Sequence, residues 1–169
     1  MPVDAADFAT ALRQYAAGVC LLTLQDDIDD VGTTVSSVTS VSARPPLVAV
    51  GLDAGGYPAE LLGDLGRCAL NVLAAEHAIV ASRFASAGRP SARHLLESVP
   101  WTRGQGGAIV LSGALVALDC RLDRLVPAGD HVLALLEVDD VPVLNPSAAP
   151  LIRLRGRYVD PSGAPLTRP

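Results

Sequence analysis

Apolar residues fall along the chain in short blocks parted by Gly-, Pro- and Asp-rich breaks, a rhythm that predicts strands more often than helices. The first block is different. Phe8, Leu12 and Tyr15 recur at helical spacing, so residues 4–15 are expected to be helical, capped by Asp4 in a short-acid version of a capping box with Asp7 and ended by Gly18. Residues 19–24 and 31–36 read as a hairpin across the acidic turn 25–30. The unbroken apolar run 47–52 predicts a buried strand that begins after Pro45 and Pro46. A Gly-rich turn over 53–58 leads to a short helix over 59–65, stopped by Gly66, and then to a strand over 68–73. Helical spacing returns over 74–84 and 91–97, with a loop at 86–90. Beyond Trp101 and a flexible Gly-rich connection at 104–107, residues 108–125 carry the clearest strand pattern. Ala114, Val116, Leu118, Cys120 and Leu122 alternate there with Asp119, Arg121 and Asp123. A turn at 127–130 returns the chain through a strand over 131–138. A polar loop over 139–150, a last strand over 151–158 and a loose tail over 160–169 complete it.

Six or seven strands with irregularly inserted helices disfavour a doubly wound parallel sheet. The expected fold is mainly β, an antiparallel barrel whose closure removes exposed edges. It forms one domain over 1–169, with its core at about 8–158.

Composition narrows the chemistry. The 169 residues suffice to bury a core, and half are apolar. A net charge of −5 without a basic stripe argues against nucleic-acid binding. All 13 Lys+Arg residues are arginine, which excludes a Schiff-base or P-loop lysine. Cys20, Cys68 and Cys120 are odd in number, widely spaced and set in apolar runs; they are expected as buried free thiols rather than a disulfide framework or zinc site. Three scattered histidines do not make a metal site. The N-terminal segment, with Asp4 and Asp7, lacks a signal-peptide pattern, and no apolar run approaches membrane-spanning length, so the expectation is a cytoplasmic protein.

Seven hydroxyl side chains crowd the ten positions from Thr33 to Ser42, between Gly32 and the Pro45-Pro46 pair. Hydroxyls with nearby backbone N–H groups can hold a phosphate without lysine. Taken alone, the run reads more readily as a surface loop bonding its own backbone. Asn71, inside an apolar strand, must find partners, because an orphaned buried polar group costs about 1–3 kcal/mol. Arg83, at a helix end, has a fork suited to phosphate, or it satisfies the last carbonyls of its helix. Arg155 and Arg157 alternate on the expected last strand and so share a face, either to take a phosphate or as a solvated edge. His77 and His94 read as surface residues.

Further landmarks occur in a fixed order. Ala17-Gly18-Val19 and Gly32-Thr33-Thr34-Val35-Ser36-Ser37 come first, followed by Ser40-Val41-Ser42 and Pro45-Pro46-Leu47-Val48. Asn71-Val72-Leu73-Ala74, Ser82-Arg83-Phe84-Ala85, Ser112-Gly113-Ala114 and Leu118-Asp119-Cys120 come next. Gly129-Asp130-His131 and Arg155-Gly156-Arg157-Tyr158 close the series. In this order and spacing the chain resembles the flavin reductase-like family, the FMN-binding split barrels. The resemblance implies a six-stranded antiparallel Greek-key split barrel with flanking helices. It implies a homodimer with FMN or FAD near the subunit interface, NADH or NADPH as reductant, and delivery of reduced flavin to a flavin-dependent monooxygenase.

The resemblance also assigns sites. Thr34, Val35, Ser36 and Ser37 would meet the flavin, Ser40 and Ser42 would continue that wall, and Asn71 would add a flavin contact unless it pins strands. Ser82, Arg83 and Phe84 would lie at the phosphate, with Phe84 also readable as core. His131, its tautomer fixed by Asp130, would face the nicotinamide or be a turn residue without chemistry. No indispensable acid or base is expected, since hydride transfer is intrinsic to the cofactors. Two segments depart from the family pattern: Val38 replaces a usual phenylalanine, and residues 53–58 replace a Ser/Thr-containing segment that touches the flavin ring. These departures motivate the alternative of a flavin-binding protein with another substrate or a carrier role; a second alternative, of a different class, is a structural dimer with an empty barrel.

Overall fold

The computed structural model describes residues 3–86, 91–161 and 166. Its elements are α1 (Ala5–Leu12), β1 (Ala17–Gly18), β2 (Cys20–Gln25), β3 (Asp30–Val35), β4 (Val38–Ala43), β5 (Pro46–Asp53), α2 (Tyr57–Leu65) and β6 (Arg67–Val72). They continue with α3 (Ala78–Phe84), entered through a 3-10 turn at Ala75–His77, then α4 (Ala92–Leu95), β7 (Trp101–Arg103), β8 (Ile109–Leu111), β9 (Val116–Ala128), β10 (His131–Leu144), β11 (Ile152–Leu154) and β12 (Arg157–Val159). The main sheet has seven strands rather than six, in the order β3-β2-β6-β9-β10-β5-β4, and all its ladders are antiparallel. The additional strand is the hydroxyl-rich run itself, which pairs with β5 as β4 instead of looping out.

Its two outermost strands, β3 and β4, are separated in sequence only by Ser36 and Ser37. An extended chain spans at most about 3.6 Å per residue, so the sheet has to curl until its edges approach. Among the described residues no ladder joins β3 to β4 or β5, and the seam stays split. Cys20, Leu22, Leu24, Val35, Val50, Leu52, Cys68, Leu70, Cys120, Ala134 and Leu136 fill the inside of the curl. Helix α2 closes it by burying Ala59, Leu61 and Leu62, and ends at Gly66, whose left-handed φ of 65° suits glycine. β2 is apolar on both faces because its outer face is covered as well: Leu21 joins Phe84, Leu95, Ile109 and Leu111 in a second core beneath α3, α4 and β8.

Several elements differ from expectation. Helix α1 stops at Leu12, short of Tyr15 and Gly18; Asp4 does cap it, through Ala6 N–H, but no residue of the helix is buried. Without a core to extend along, the last expected turn becomes Gln14 and Tyr15 N–H bonds to Ala11 and Leu12. The Gly-rich connection at 104–107 is a tight hairpin turn, with Gly107 at φ 83° and its N–H on the Gly104 carbonyl. The long strand expected over 108–125 breaks after Leu111, where Ala114 N–H turns back onto the Leu111 carbonyl. β10 runs to Leu144, through the expected loop, because bulges let the ladder continue past Asp139 and Asp140. The last strand is a hairpin instead: Arg155 (φ 51°) and Gly156 (φ 74°) form its two-residue turn. Arg155 and Arg157 therefore do not alternate along one strand. Residues 87–90 of the expected 86–90 loop, and residues 162–165 and 167–169 of the tail, lie outside the described residues.

Candidate flavin site

The site is organised by β3. Its alternation turns Thr33 and Val35 toward the inner core, and Gly32 and Thr34 toward α3. A Cβ on Gly32 would lie 2.5 Å from Cε1 of Phe84, so only glycine admits the ring. The Thr34 hydroxyl donates to the Ala81 carbonyl at 3.0 Å. These two contacts lay α3 along β3 and leave Ser82 and Arg83 exposed in its last turn. Among the described residues no carboxylate pairs with Arg83. Past the end of β3, Ser36 and Ser37 are exposed; Ser37 Oγ donates to the Gly51 carbonyl at 3.0 Å, and Gly51 N–H returns a bond to the Ser37 carbonyl at 2.9 Å.

At the open end of the curl lies a cleft of about 200 Å³ lined by Thr33, Leu52, Asp53, Gly56, Pro58 and Ala59. Asp53 Oδ1 accepts the Gly55 N–H at 2.8 Å, an Asx-type turn that carries the chain from β5 into α2. The mouth depends on small residues: a Cβ on Gly56 would already stand 3.2 Å from the Asp53 carbonyl. Tyr57 Oη donates to Asp26 Oδ2 at 2.6 Å, tying the start of α2 to the β2–β3 turn; that bond raises the phenol's pKa. His131 is the ladder partner of Asp53, and Ala54 N–H bonds the Asp130 carbonyl at 3.0 Å. His131 Nδ1 lies 2.8 Å from Asp130 Oδ1, a contact that lowers the Asp130 pKa and leaves Nε2 as the outward ring nitrogen.

Thr34, Ser82 and Arg83 therefore share the seam between β3 and α3, Ser36 and Ser37 follow the end of β3, and Asp130 and His131 flank Asp53 of the cleft. Three other expected site residues have their side chains turned inward. Val35 and Phe84 are core side chains, 6% and 1% exposed. Asn71 is 0% exposed and is the strand pin: its Nδ2 donates to the Leu21 and Ile109 carbonyls at 3.2 and 3.1 Å, and its Oδ1 accepts Leu111 N–H at 2.8 Å. Ser40 and Ser42 lie on the edge strand β4, where Ser42 Oγ accepts the Arg44 N–H at 3.1 Å. Val38 packs against the inner core. Arg155 is remote from these residues, on the small sheet β1-β11-β12, with Nε donating to Gln14 Oε1 at 3.1 Å. Thr33, Asp53 and Gly56 are lining residues that the sequence did not single out individually. The Asp-x-Gly turn followed by Gly-Tyr-Pro at a helix start was the available signal.

Two further groups brace this framework. Asp30, buried at the start of β3, accepts Arg93 Nε at 2.6 Å and the Arg103 guanidinium, so that α4 and β7 are both clamped to β3. Burial pushes the Asp30 carboxyl up, but the hydrogen bonds and charges of Arg103 and Arg93 outweigh it and hold its pKa below the ordinary value. His77 is buried rather than exposed: Nδ1 accepts the Ala74 N–H at 3.3 Å, and burial lowers its pKa against the opposing effect of Glu76.

The residues present fit a flavin. A cleft of about 200 Å³ is smaller than the roughly 300–1,000 Å³ that encloses a drug-sized ligand. It can take one edge of a three-ring system, and Ser36, Ser37 and Arg83 are exposed polar groups that a flavin could use. Among the described residues no helix is long and apolar enough to cross a membrane.

Residues 12–162 match the family model described as "Flavin reductase like domain". The chain is 34% identical over 152 residues to the NADH-dependent FMN reductase AsuE2 of Streptomyces nodosus subsp. asukaensis, spanning 90% of this chain and 82% of that protein. It is 37% identical over 150 residues to the NADPH-flavin oxidoreductase of Streptomyces viridifaciens, spanning 88% and 76%. The crystal structure of BorF, the flavin reductase component of a bacterial two-component tryptophan halogenase, superposes with a TM-score of 0.86 at 27% identity and covers 97% of this chain and 100% of that one. The chain belongs to the flavin reductase-like domain family.

Proposed function

We propose that this protein is a cytoplasmic, single-domain NAD(P)H:flavin oxidoreductase that reduces FMN or FAD and supplies reduced flavin to a partner monooxygenase. What supports this reading is the exposed Ser36 and Ser37 after the end of β3, Ser82 and Arg83 on the helix that Thr34 ties to that strand, and a cleft whose lining residue Asp53 is the ladder partner of His131. The nicotinamide supplies a hydride to the flavin. The chain's part is to stack the two rings and exclude water, so neither His131 nor Asp130 has to move a proton. His131, held through Nδ1 by Asp130, would offer Nε2 to the carboxamide of a bound nicotinamide.

The reading includes a homodimer and a split barrel of Greek-key connectivity. Phe8 and Leu12 on α1 and Tyr15 just beyond it are 56%, 48% and 71% exposed, and an isolated helix this short is marginal in water. A second subunit would cover that face and roof the open hydroxyl surface. The test is steady-state kinetics on His131→Ala. The KM for the nicotinamide rises several-fold while the flavin Kd stays within about twofold; an unchanged KM removes His131 from the mechanism.

A further inference from the structure

We propose that the Asp53 carboxylate biases the site toward releasing reduced flavin, by weakening its hold on the reduced form relative to the oxidised one. The inference rests on the flavin-site reading above. Asp53 is the one charged residue among the six that line the cleft. Oδ1 is fixed by the Gly55 N–H, so the carboxylate is held in place at the mouth. It stands across the ladder from His131, and directly opposed side chains have Cβ atoms about 5 Å apart. Among the described residues no arginine is paired with it. The other ionisable groups gathered here, Asp130 and the Asp26 that accepts from Tyr57, are also acidic, apart from His131 itself.

The charge balance of the reaction makes this placement matter. Hydride transfer breaks the C4–H bond of the dihydronicotinamide and forms N5–H on the flavin. Two electrons and one proton arrive together, the reductant leaves as the oxidised nicotinamide, and the flavin gains one negative charge, carried at its N1–C2=O end at neutral pH. The phosphate charges of the flavin are the same before and after. A fixed carboxylate therefore discriminates between the two redox forms by that one charge. At about 8 Å, with an effective dielectric of about 40, Coulomb repulsion corresponds to roughly a fivefold difference in relative affinity. A carboxylate fixed at the cleft mouth suits a protein whose reduced flavin has to leave.

The experiment compares wild type with Asp53→Asn, which retains an oxygen for the Gly55 N–H, with Asp53→Ser as a second neutral variant and Asp53→Glu as a charge-retaining control. Dissociation constants for oxidised FMN and for chemically reduced FMN are measured anaerobically, and the midpoint potential of bound FMN is measured by dye-equilibrated titration. Both neutral variants should tighten reduced FMN about fivefold relative to oxidised FMN. That fold-change equals a rise of about 20 mV in a two-electron couple, and Asp53→Glu should leave the potential near wild type. Equal affinity ratios and potentials in wild type and Asp53→Asn, with FMN bound by both, overturn the role of Asp53. A wild-type protein that binds FMN in neither form overturns the flavin-site reading itself, a separate and recognisable failure.

Discussion

Replacing Asn71 by alanine distinguishes a strand pin from a cofactor contact. The side chain makes three hydrogen bonds in a fully buried position, joining β2 through Leu21, and β8 through Ile109 and Leu111, to its own strand β6. Truncation leaves the Leu111 N–H without its side-chain acceptor, at a cost of about 1–3 kcal/mol. The Ile109 carbonyl is less affected, since it still accepts Thr23 Oγ1 at 2.6 Å. The small cavity and the weakened Leu21 contact add about 1 kcal/mol, for a total of about 2–4 kcal/mol. At about 2–4 °C per kcal/mol for a chain of this size, the melting temperature should fall by about 4–16 °C. The assay is thermal or urea unfolding at fixed protein concentration, alongside an FMN titration at a temperature where the variant is fully folded. The folded variant should bind FMN within about twofold of wild type. An unaltered midpoint combined with a tenfold loss of FMN affinity would refute the reasoning and return Asn71 to the flavin.

The tether between β3 and α3 should be visible in ligand selectivity. Thr34→Val loses the bond to the Ala81 carbonyl and lets Arg83 drift, so it should weaken FMN several-fold in fluorescence-quenching titrations while leaving riboflavin, which lacks the phosphate, nearly unchanged. Thr34→Ser should restore FMN binding, and equal losses for both ligands would break the link to Arg83. Stability should also depend on pH through His77. Its pKa is lowered in the folded state, so the unfolded chain binds the proton more readily; the stabilisation is present above the unfolded value of about 6.5 and is lost as pH falls below it. His77→Asn, with an oxygen in place of Nδ1, should flatten the denaturation midpoint measured between pH 7 and pH 5, whereas a slope equal to wild type would assign the effect elsewhere.

Strand positions were legible wherever a block met one core. The continuous run ending at Leu52 and the alternation around Cys120 became β5 and β9, although Asp119, a polar member of that alternation, is itself buried and accepts the Gly106 N–H. The hydroxyl run was not legible as a strand, because β4 is an edge: its side chains gain little from burial, and its ladder with β5 is a backbone matter that composition does not record. The end of α1 was misjudged because Phe8, Leu12 and Tyr15 carry a helical period yet find no core within the chain. His77 is inside because a backbone N–H at Ala74 needed an acceptor, which no periodicity reveals. At the candidate site, residue types were legible in the sequence, while the direction of each side chain depended on strand parity. Parity sends Thr34 to α3 and Val35 to the core, and only the fold brings Asp53 opposite His131.

Anaerobic stopped-flow absorbance at the flavin band tests the central claim most directly. The protein with FMN or FAD is mixed against NADH or NADPH. The account predicts rapid bleaching that saturates with nicotinamide concentration and identifies the preferred pair of cofactors. Flavin that binds without bleaching, with either reductant, would contradict it.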